Sequence, residues 1–240
     1  MRKLFFLFLI AFLSFCSCRF LGKRIHGNGQ IKTVEKTVSA FKEVEVSGEN
    51  IKLRITQGDL KPVKIEGDEN ILSYMEIIQE GDRIMIQPRN GVMLTPSADL
   101  NVFVTSPTFS SIQASGSCDI VGESKITSNG EISLETSGAG SITMELDAPK
   151  ISSNISGAGS IKLKGQTKDL SIDISGVGHA YCYDLLTENT TISISGAGSA
   201  QVYASLKLSA DLSGAGSINY KGNASVSQEI SGAGSIHKAD

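Results

Sequence analysis

The stretch Ser137-Gly-Ala-Gly-Ser-Ile142 is one of seven near-copies of a six-residue motif in the second half of the chain. Successive copies start 22, 19, 19, 20, 18 and 18 residues apart, at Ser115, Ser137, Ser156, Ser175, Ser195, Ser213 and Ser231. A nearly constant period of about 20 residues indicates stacked copies of one supersecondary unit. The repeat therefore decides the architecture of residues 115–240.

Apolar and polar side chains alternate on both sides of the motif, as in Leu170-Ser-Ile-Asp-Ile174 and Ile142-Thr-Met-Glu-Leu146. A period of two around a glycine-rich corner predicts a strand, a turn and a second strand. Each repeat is too short for a crossover helix, so equivalent strands are expected to stack in parallel, about 4.8 Å apart. The sequence thus predicts an all-β fold, a β-solenoid in the form of a right-handed parallel β-helix.

Residues 30–114 contain alternating segments and turn signals but lack the strict motif. Ser47-Gly-Glu-Asn-Ile51 resembles a degenerate first copy, and residues 70–76 are predicted to form a short helical turn. Strands are predicted over residues 31–38, 41–46, 51–56, 63–66, 77–80, 83–87 and 100–105. We expect this half to be an irregular, strand-rich N-terminal part that caps one end of the solenoid.

Residues 1–18 have the composition of a lipoprotein-type signal peptide. A short basic start precedes the apolar run Leu4–Leu13, which is too short for a bilayer span of about 20 residues. Ser17 before Cys18 resembles a bacterial lipoprotein processing site, so Cys18 is predicted to carry a lipid anchor to the membrane; an ordinary cleaved signal is the alternative. Residues 19–29 show no apolar period and are predicted to be a flexible tether. These features predict an exported protein, anchored in the outer membrane on either its periplasmic or its cell-surface face.

The charge distribution argues against a nucleic-acid-binding protein. The formal net charge of the whole chain is −3, and residues 115–240 contain 8 basic and 13 acidic side chains. No arginine follows Arg89. Nucleic-acid binding needs basic patches, and a surface of this sign repels a polyanion. No nucleic-acid partner is therefore predicted.

Three segments of the first half, together with the repeats, resemble a known bacterial family. The segments are Phe41-Lys-Glu-Val-Glu-Val-Ser-Gly48, Ile51-Lys-Leu-Arg-Ile-Thr-Gln-Gly58 and Val63-Lys-Ile-Glu-Gly-Asp68. Over residues 30–236 the chain resembles the auto-transporter adhesin head domain family (the head GIN domain), which is common in Bacteroidetes lipoproteins. The resemblance implies an exported all-β protein with an adhesin-like role, and it supplies no catalytic residue.

Residues suited to catalysis or metal binding are sparse. His26, His179 and His237 have no cysteine or second histidine at metal-ligand spacing. A β-helix polysaccharide lyase needs a basic residue beside clustered acids, whereas residues 115–240 contain no arginine and no aspartate cluster within one coil. The sequence therefore predicts a non-enzyme without a metal or cofactor. A structural envelope protein and a carbohydrate-active enzyme are the alternatives.

Two outward-facing sets of side chains are candidates for a binding surface. An acidic ladder lies two residues before the motif serines, interleaved with Asn154 and Ser193, and comprises Glu135, Asp173, Asp211 and Glu229. A second face carries Tyr181, Tyr183, Tyr203, Lys162 and Lys164. Tyr183 and Tyr203 share one repeat position in adjacent coils, so their rings are expected to stack. Aromatic surfaces suit sugars and partner proteins, which predicts a glycan or protein ligand. A merely solvated face is the alternative for both sets, and the oligomeric state is left open.

Cys118 and Cys182 are the two cysteines that follow the signal segment. Cys182 falls in an inward column with Met144 and Leu163, three coils away from Cys118. Three coils correspond to about 14 Å along the axis, whereas a disulfide allows at most about 7 Å between Cα atoms. Both thiols are therefore predicted to be free, Cys182 in the core and Cys118 near a corner.

Overall fold

A computed structural model describes residues 23–239 of the chain, and it confirms the all-β solenoid. Strands make up 72% of the structure and helix 2%, with about six solenoid turns. The lipid-anchor prediction at Cys18 lies outside the described residues. The strands of the repeat half are β9 (Ser111–Gly122), β10 (Ile126–Thr127), β11 (Glu131–Gly138), β12 (Ser141–Gly157), β13 (Ser160–Gly176), β14 (His179–Cys182), β15 (Leu185–Gly196), β16 (Ser199–Tyr203), β17 (Lys207–Gly214), β18 (Ser217–Lys221), β19 (Ser225–Gly232) and β20 (Ser235–Lys238).

The coils stack with each motif directly over the next. β12 and β13 pair in parallel, with Ser156 opposite Ser175 and Ile142 opposite Ile161. Alternate side chains point inward, and both of these isoleucines are fully buried. Burial of an aliphatic side chain contributes about 1.5–3 kcal/mol, so the inward columns supply the apolar core that holds the stack together.

The two glycines of each motif have different roles. Gly157 has a φ of +108°, a left-handed conformation that side chains disfavour, and a Cβ there would lie 2.7 Å from the carbonyl oxygen of Gly138. Gly140 does not have a left-handed φ, yet a Cβ on it would lie 2.2 Å from the carbonyl oxygen of Cys118. The first glycine turns the chain, and both allow close approach of adjacent coils. The predicted corner is thereby confirmed.

The first half contains a short helix and eight strands: β1 (Lys23–His26), β2 (Ile31–Lys36), β3 (Glu43–Gln57), β4 (Val63–Asp68), α1 (Glu69–Leu72), β5 (Met75–Glu80), β6 (Arg83–Pro88), β7 (Val92–Thr95) and β8 (Leu100–Ser106). The degenerate first copy is confirmed, because Ser47 lies opposite Ser115 and Gly48 opposite Gly116. β6 and β8 pair in parallel with β3, and antiparallel pairs β5–β6, β4–β8 and β2–β4 follow. The change to antiparallel pairing ends the regular stack at this side.

The prediction of a flexible tether over residues 19–29 is wrong for residues 23–26, which form β1. This strand pairs in parallel with β7, with Lys23 opposite Val92. Most side chains of β1 are exposed, so its sequence shows no apolar period. Backbone hydrogen bonds hold the segment, and the amide of Gly27 extends the ladder by donating to the carbonyl oxygen of Thr95 over 2.9 Å.

The loop after β1 is fastened to the body of the domain by the buried carboxylate of Asp68. The amides of Gly29 and Ser97 donate to this carboxylate over 2.7 and 2.9 Å, and the Ser97 hydroxyl donates over 2.6 Å. Burial opposes ionisation and is the largest single influence on the pKa of Asp68. The hydrogen bonds together outweigh it and hold that pKa below its ordinary value.

Cys118 and Cys182 are both free and buried, as the coil register predicted. Burial, assisted by the charge of Asp119, raises the pKa of the Cys118 thiol to about 12. Burial also raises the pKa of the Cys182 thiol to about 12, against a backbone hydrogen bond with Leu163 that lowers it. Both side chains therefore act as small apolar core residues at neutral pH.

Candidate functional site

The aromatic face of the repeat half contains an open groove of about 380 Å³, lined by Lys162, Tyr181, Tyr183, Asp184 and Gln201. We call it the aromatic groove. Lys162 lies opposite Tyr181, and Tyr181 lies opposite Gln201, in three successive coils. Parallel stacking therefore places these three side chains in one outward column, about 4.8 Å apart.

One coil has an extra residue, and this residue shapes the aromatic groove. A turn at Tyr183 and Asp184 separates β14 from β15, whereas β13 in the preceding coil is continuous. The register shifts by one residue between the groove column and the pair formed by Gly165 and Leu185. The Gly165 amide donates to the carbonyl oxygen of Asp184 over 3.0 Å. Such a bulge bends its strand and re-aims side chains, which accounts for Tyr183 and Asp184 in the groove.

Tyr181 forms the exposed surface of the aromatic groove. Its side chain is 43% exposed although it belongs to a regular strand. The ring of His179 stacks against it with centroids 6.1 Å apart and an interplanar angle of 30°. Nδ1 of His179 lies 2.8 Å from the hydroxyl oxygen of Ser199. The histidine is thus held in place behind the tyrosine, which makes Tyr181 a supported platform.

Tyr183 is directed toward a lysine two coils further along the axis. The Nζ of Lys221 lies 5.2 Å from the centroid of the Tyr183 ring, within the range of a cation–π interaction. Partial burial raises the pKa of the Tyr183 phenol. The phenol is therefore neutral at physiological pH. Its ring contacts the ammonium group of Lys221, which is a second cation beside the groove after Lys162.

The predicted stack of Tyr183 on Tyr203 is wrong. Tyr203 lines a separate groove of about 440 Å³ with Leu186 and Pro149 among its neighbours, and the Tyr183 ring contacts Lys221 instead. The extra residue in the coil of Tyr183 removes the equivalence of the two positions. Of the five side chains predicted on this face, Lys162, Tyr181 and Tyr183 meet in the aromatic groove.

Lys164, the remaining predicted residue of this face, is engaged elsewhere. Its Nζ lies 2.9 Å from a carboxylate oxygen of Glu145 in the preceding coil, and the register places the two residues opposite each other. The pair is exposed, so it contributes little to stability. It nevertheless provides Lys164 with a neighbouring counter-charge.

The acidic ladder has the predicted register. Glu135 lies opposite Asn154, Asn154 opposite Asp173, and Asp211 opposite Glu229. Among residues 23–239, the four acids of the ladder form no ion pair.

Sequence reasoning missed four side chains at the aromatic groove: His179, Asp184, Gln201 and Lys221. One feature of the sequence points to this coil. The step from Ser175 to Ser195 is 20 residues, whereas the two steps before it are 19. The extra residue of that step is the one that interrupts the strand at Tyr183. The one-residue lengthening after two equal steps therefore coincides with the coil that carries the groove.

The described part of the chain contains no group of three or more His, Cys, Asp and Glu side chains arranged to hold a metal ion. Within the same residues, no helix has the length and apolar character needed to cross a membrane. His26, His179 and His237 lie on different strands or loops, and His179 is paired with Ser199.

A parallel β-solenoid with an open aromatic groove defines a repeat protein that presents a surface. Residues 40–224 match the family described as "Putative auto-transporter adhesin, head GIN domain", and the chain belongs to this family. Membership of an adhesin family indicates an exported or surface protein. No curated protein sequence matches the chain.

Several solved structures share the fold. A "putative adhesin" from Bacteroides fragilis is 22% identical with a TM-score of 0.84, and the match covers 90% of this chain and 100% of that one. A "putative adhesin" from Parabacteroides distasonis is 24% identical with a TM-score of 0.74, at 90% and 100% coverage. A "putative lipid binding protein" from the same species is 24% identical with a TM-score of 0.73, at 91% and 100% coverage. At these identities the likeness shows the fold alone.

Proposed function

We propose that this chain is an exported, lipid-anchored, adhesin-like protein that recognises a ligand at the cell envelope through the aromatic groove, without catalysis. The observation that carries the proposal is a preformed groove with an exposed, supported ring at Tyr181 on a rigid strand scaffold. Few convergent polar groups beside an aromatic surface are typical of binding sites. Membership of an adhesin family supports the same function.

The absence of catalysis is supported by the chemistry of the groove. Lys162 is the basic side chain that lines it, and Asp184 is the acidic one. No arginine occurs in residues 115–240. A groove of this composition binds rather than transforms its ligand.

The lipid anchor is proposed from the apolar run Leu4–Leu13 and from Ser17 before Cys18, and the chain length after Cys18 limits how far the domain would lie from the membrane. β1 begins at Lys23, five residues after Cys18, and five residues span at most about 17 Å. A lipid on Cys18 would therefore keep the capped end of the solenoid close to the membrane. The groove lies four coils beyond β3, roughly 19 Å along the axis, on the side remote from the anchor.

The anchor is tested by fractionating cells that produce the full chain or its Cys18→Ala variant. We expect acyl mass on the wild-type chain and release of the variant from the membrane fraction. A variant that stays in the membrane, with no acyl mass on the wild type, would show that the anchor is absent.

Recognition is tested by the attachment of cells producing the full chain to a panel of immobilised glycans and matrix proteins. We expect Tyr181→Ala or Tyr183→Ala to reduce attachment about tenfold, as for aromatic residues central to an interface. Tyr203→Ala, in the separate groove, is the matched control and should attach like the wild type. No attachment by the wild type to any surface would favour a structural envelope protein instead.

A further inference from the structure

Two lysines flank the aromatic groove without an ion-pair partner among residues 23–239. Lys162 lines the groove, and Lys221 reaches the ring of Tyr183. Neither takes part in any of the nine ion pairs of the described chain, whereas Lys164 is paired with Glu145. The two unpaired ammonium groups come from different coils and are available to an anionic group.

The shape of the aromatic groove favours a chain of sugars over an enclosed small molecule. It is open to solvent and crosses successive coils, so a ligand would extend along the column of Lys162, Tyr181 and Gln201. The exposed face of Tyr181 suits the apolar face of a pyranose ring, which stacks on aromatic side chains. The amide of Gln201 and the carboxylate of Asp184 can accept hydrogen bonds from sugar hydroxyls.

Charge sets the kind of acidic group that fits. Residues 115–240 contain 8 basic and 13 acidic side chains, so their surface repels a densely charged polyanion. Asp184 further disfavours a second anionic group within the groove itself. A single carboxylate, placed against Lys162 or Lys221, satisfies both conditions through a charge-assisted hydrogen bond.

We infer that the aromatic groove binds an oligosaccharide that carries isolated carboxylates, as a uronate or a sialate does, with Tyr181 stacking on a sugar ring and Lys162 and Lys221 binding the acid. This inference rests on the proposed function and names the ligand class of the same groove. Uronates and sialates share a carboxylate on a pyranose ring, and the test distinguishes between these two sources.

The test uses the purified full chain in mild detergent on an array of oligosaccharide pairs that differ in the carboxylate. The pairs are a trisaccharide with one terminal glucuronate beside its methyl ester, and sialyllactose beside lactose. We expect at least one acidic member to bind about tenfold or more tightly than its neutral partner, the size of one hydrogen bond to a charged group. The pair that shows this preference identifies the source of the carboxylate.

Variants tie that preference to the groove. Tyr181→Ala should abolish binding, and Lys162→Gln and Lys221→Gln should each weaken it several-fold and reduce its sensitivity to salt. Lys164→Gln is the matched control, because its ammonium already faces Glu145, and it should bind like the wild type. If each variant unfolds at the melting temperature of the wild type, its weaker binding is not caused by a loss of folding.

Equal binding of acidic and neutral members, binding of peptides instead, or full acid preference in Tyr181→Ala and Lys162→Gln would overturn the inference. If Tyr181→Ala reduces the attachment of cells while Lys162→Gln and Lys221→Gln attach like the wild type, the carboxylate inference fails and recognition through the groove stands. If wild-type cells attach to nothing, the proposed function fails with it.

Discussion

The two halves of the solenoid stack their strands around an apolar core in different ways. In residues 115–240 each coil repeats the previous one, so Ser156 stacks on Ser137 and Gly157 on Gly138. In residues 30–114 the coils are built from strands of changing direction, and antiparallel pairs such as β2–β4 and β5–β6 end the stack. The regular half gains stability from repetition, and the irregular half gains an end that the repeat alone cannot provide.

This comparison shows where specificity arises in a repeat protein. Most inward positions keep their apolar character from coil to coil because the core requires it, with Thr136, Ser153 and Thr190 as buried polar exceptions, whereas outward positions vary freely. The aromatic groove lies where the repeat departs from its own rule, with His179 in a serine position and one added residue at Tyr183 and Asp184. Function is therefore expected at the irregularities of the regular half.

The largest effect is expected from breaking a corner of the regular half. Gly157→Val places a side chain at a φ of +108° and against the carbonyl oxygen of Gly138, so we expect a loss of about 2–5 kcal/mol in the free energy of unfolding from strain and overpacking. Gly130→Ala is the control, since its Cβ would lie 4.0 Å from the nearest atom. Equal denaturant midpoints for both variants would contradict the stacked corner.

A smaller effect is expected from weakening the hydrogen bonds of Asp68, which hold the loop after β1 in the irregular half. Asp68→Asn removes the charge that binds Gly29 and Ser97, and we expect a loss of about 1.5–3 kcal/mol, typical of a hydrogen bond to a charged group. Amide hydrogen exchange at Gly29 should accelerate, while exchange in β13 should not change. Unaltered exchange at Gly29 would mean that Asp68 does not hold the loop after β1.

The same carboxylate predicts a pH dependence. The pKa of Asp68 is lowered on folding, so its contribution to stability is complete above its ordinary value of 3.8 and is lost as the pH falls through the folded value. The difference in unfolding free energy between the wild type and Asp68→Asn should therefore shrink below pH 4. A difference that stays constant between pH 7 and pH 2 would contradict this assignment.

The smallest effect concerns reactivity rather than stability. Cys118 and Cys182 are buried with pKa values raised to about 12, so both should resist alkylation at pH 8 in the folded chain. Both should be alkylated after unfolding without a reductant. A Cys118–Cys182 cross-link in mass spectra would overturn the coil register, because it requires residues three coils apart to meet.

The sequence predicted the regular half well because every column of the repeat is subject to the same two constraints, an apolar interior and a tight corner. It placed Lys162 and Tyr181 on one surface for the same reason. It failed at β1, a mostly exposed strand that backbone hydrogen bonds hold to β7 and that therefore shows no apolar period. It also failed at Tyr203, because equal numbering from the motif serine ignores a residue added within the coil. The contact between Tyr183 and Lys221, two coils away, could not be predicted, because it depends on the direction of the Tyr183 ring after the added residue.

We attribute the recognition groove to the one residue that its coil has beyond the two preceding coils. This attribution is tested most directly by deleting Asp184, which restores the 19-residue length of the two preceding coils, and by measuring binding of the full chain to the paired oligosaccharide array. We expect binding to fall about tenfold or more, while the free energy of unfolding stays within about 1 kcal/mol of the wild type. Undiminished binding by the folded deletion variant would contradict the account.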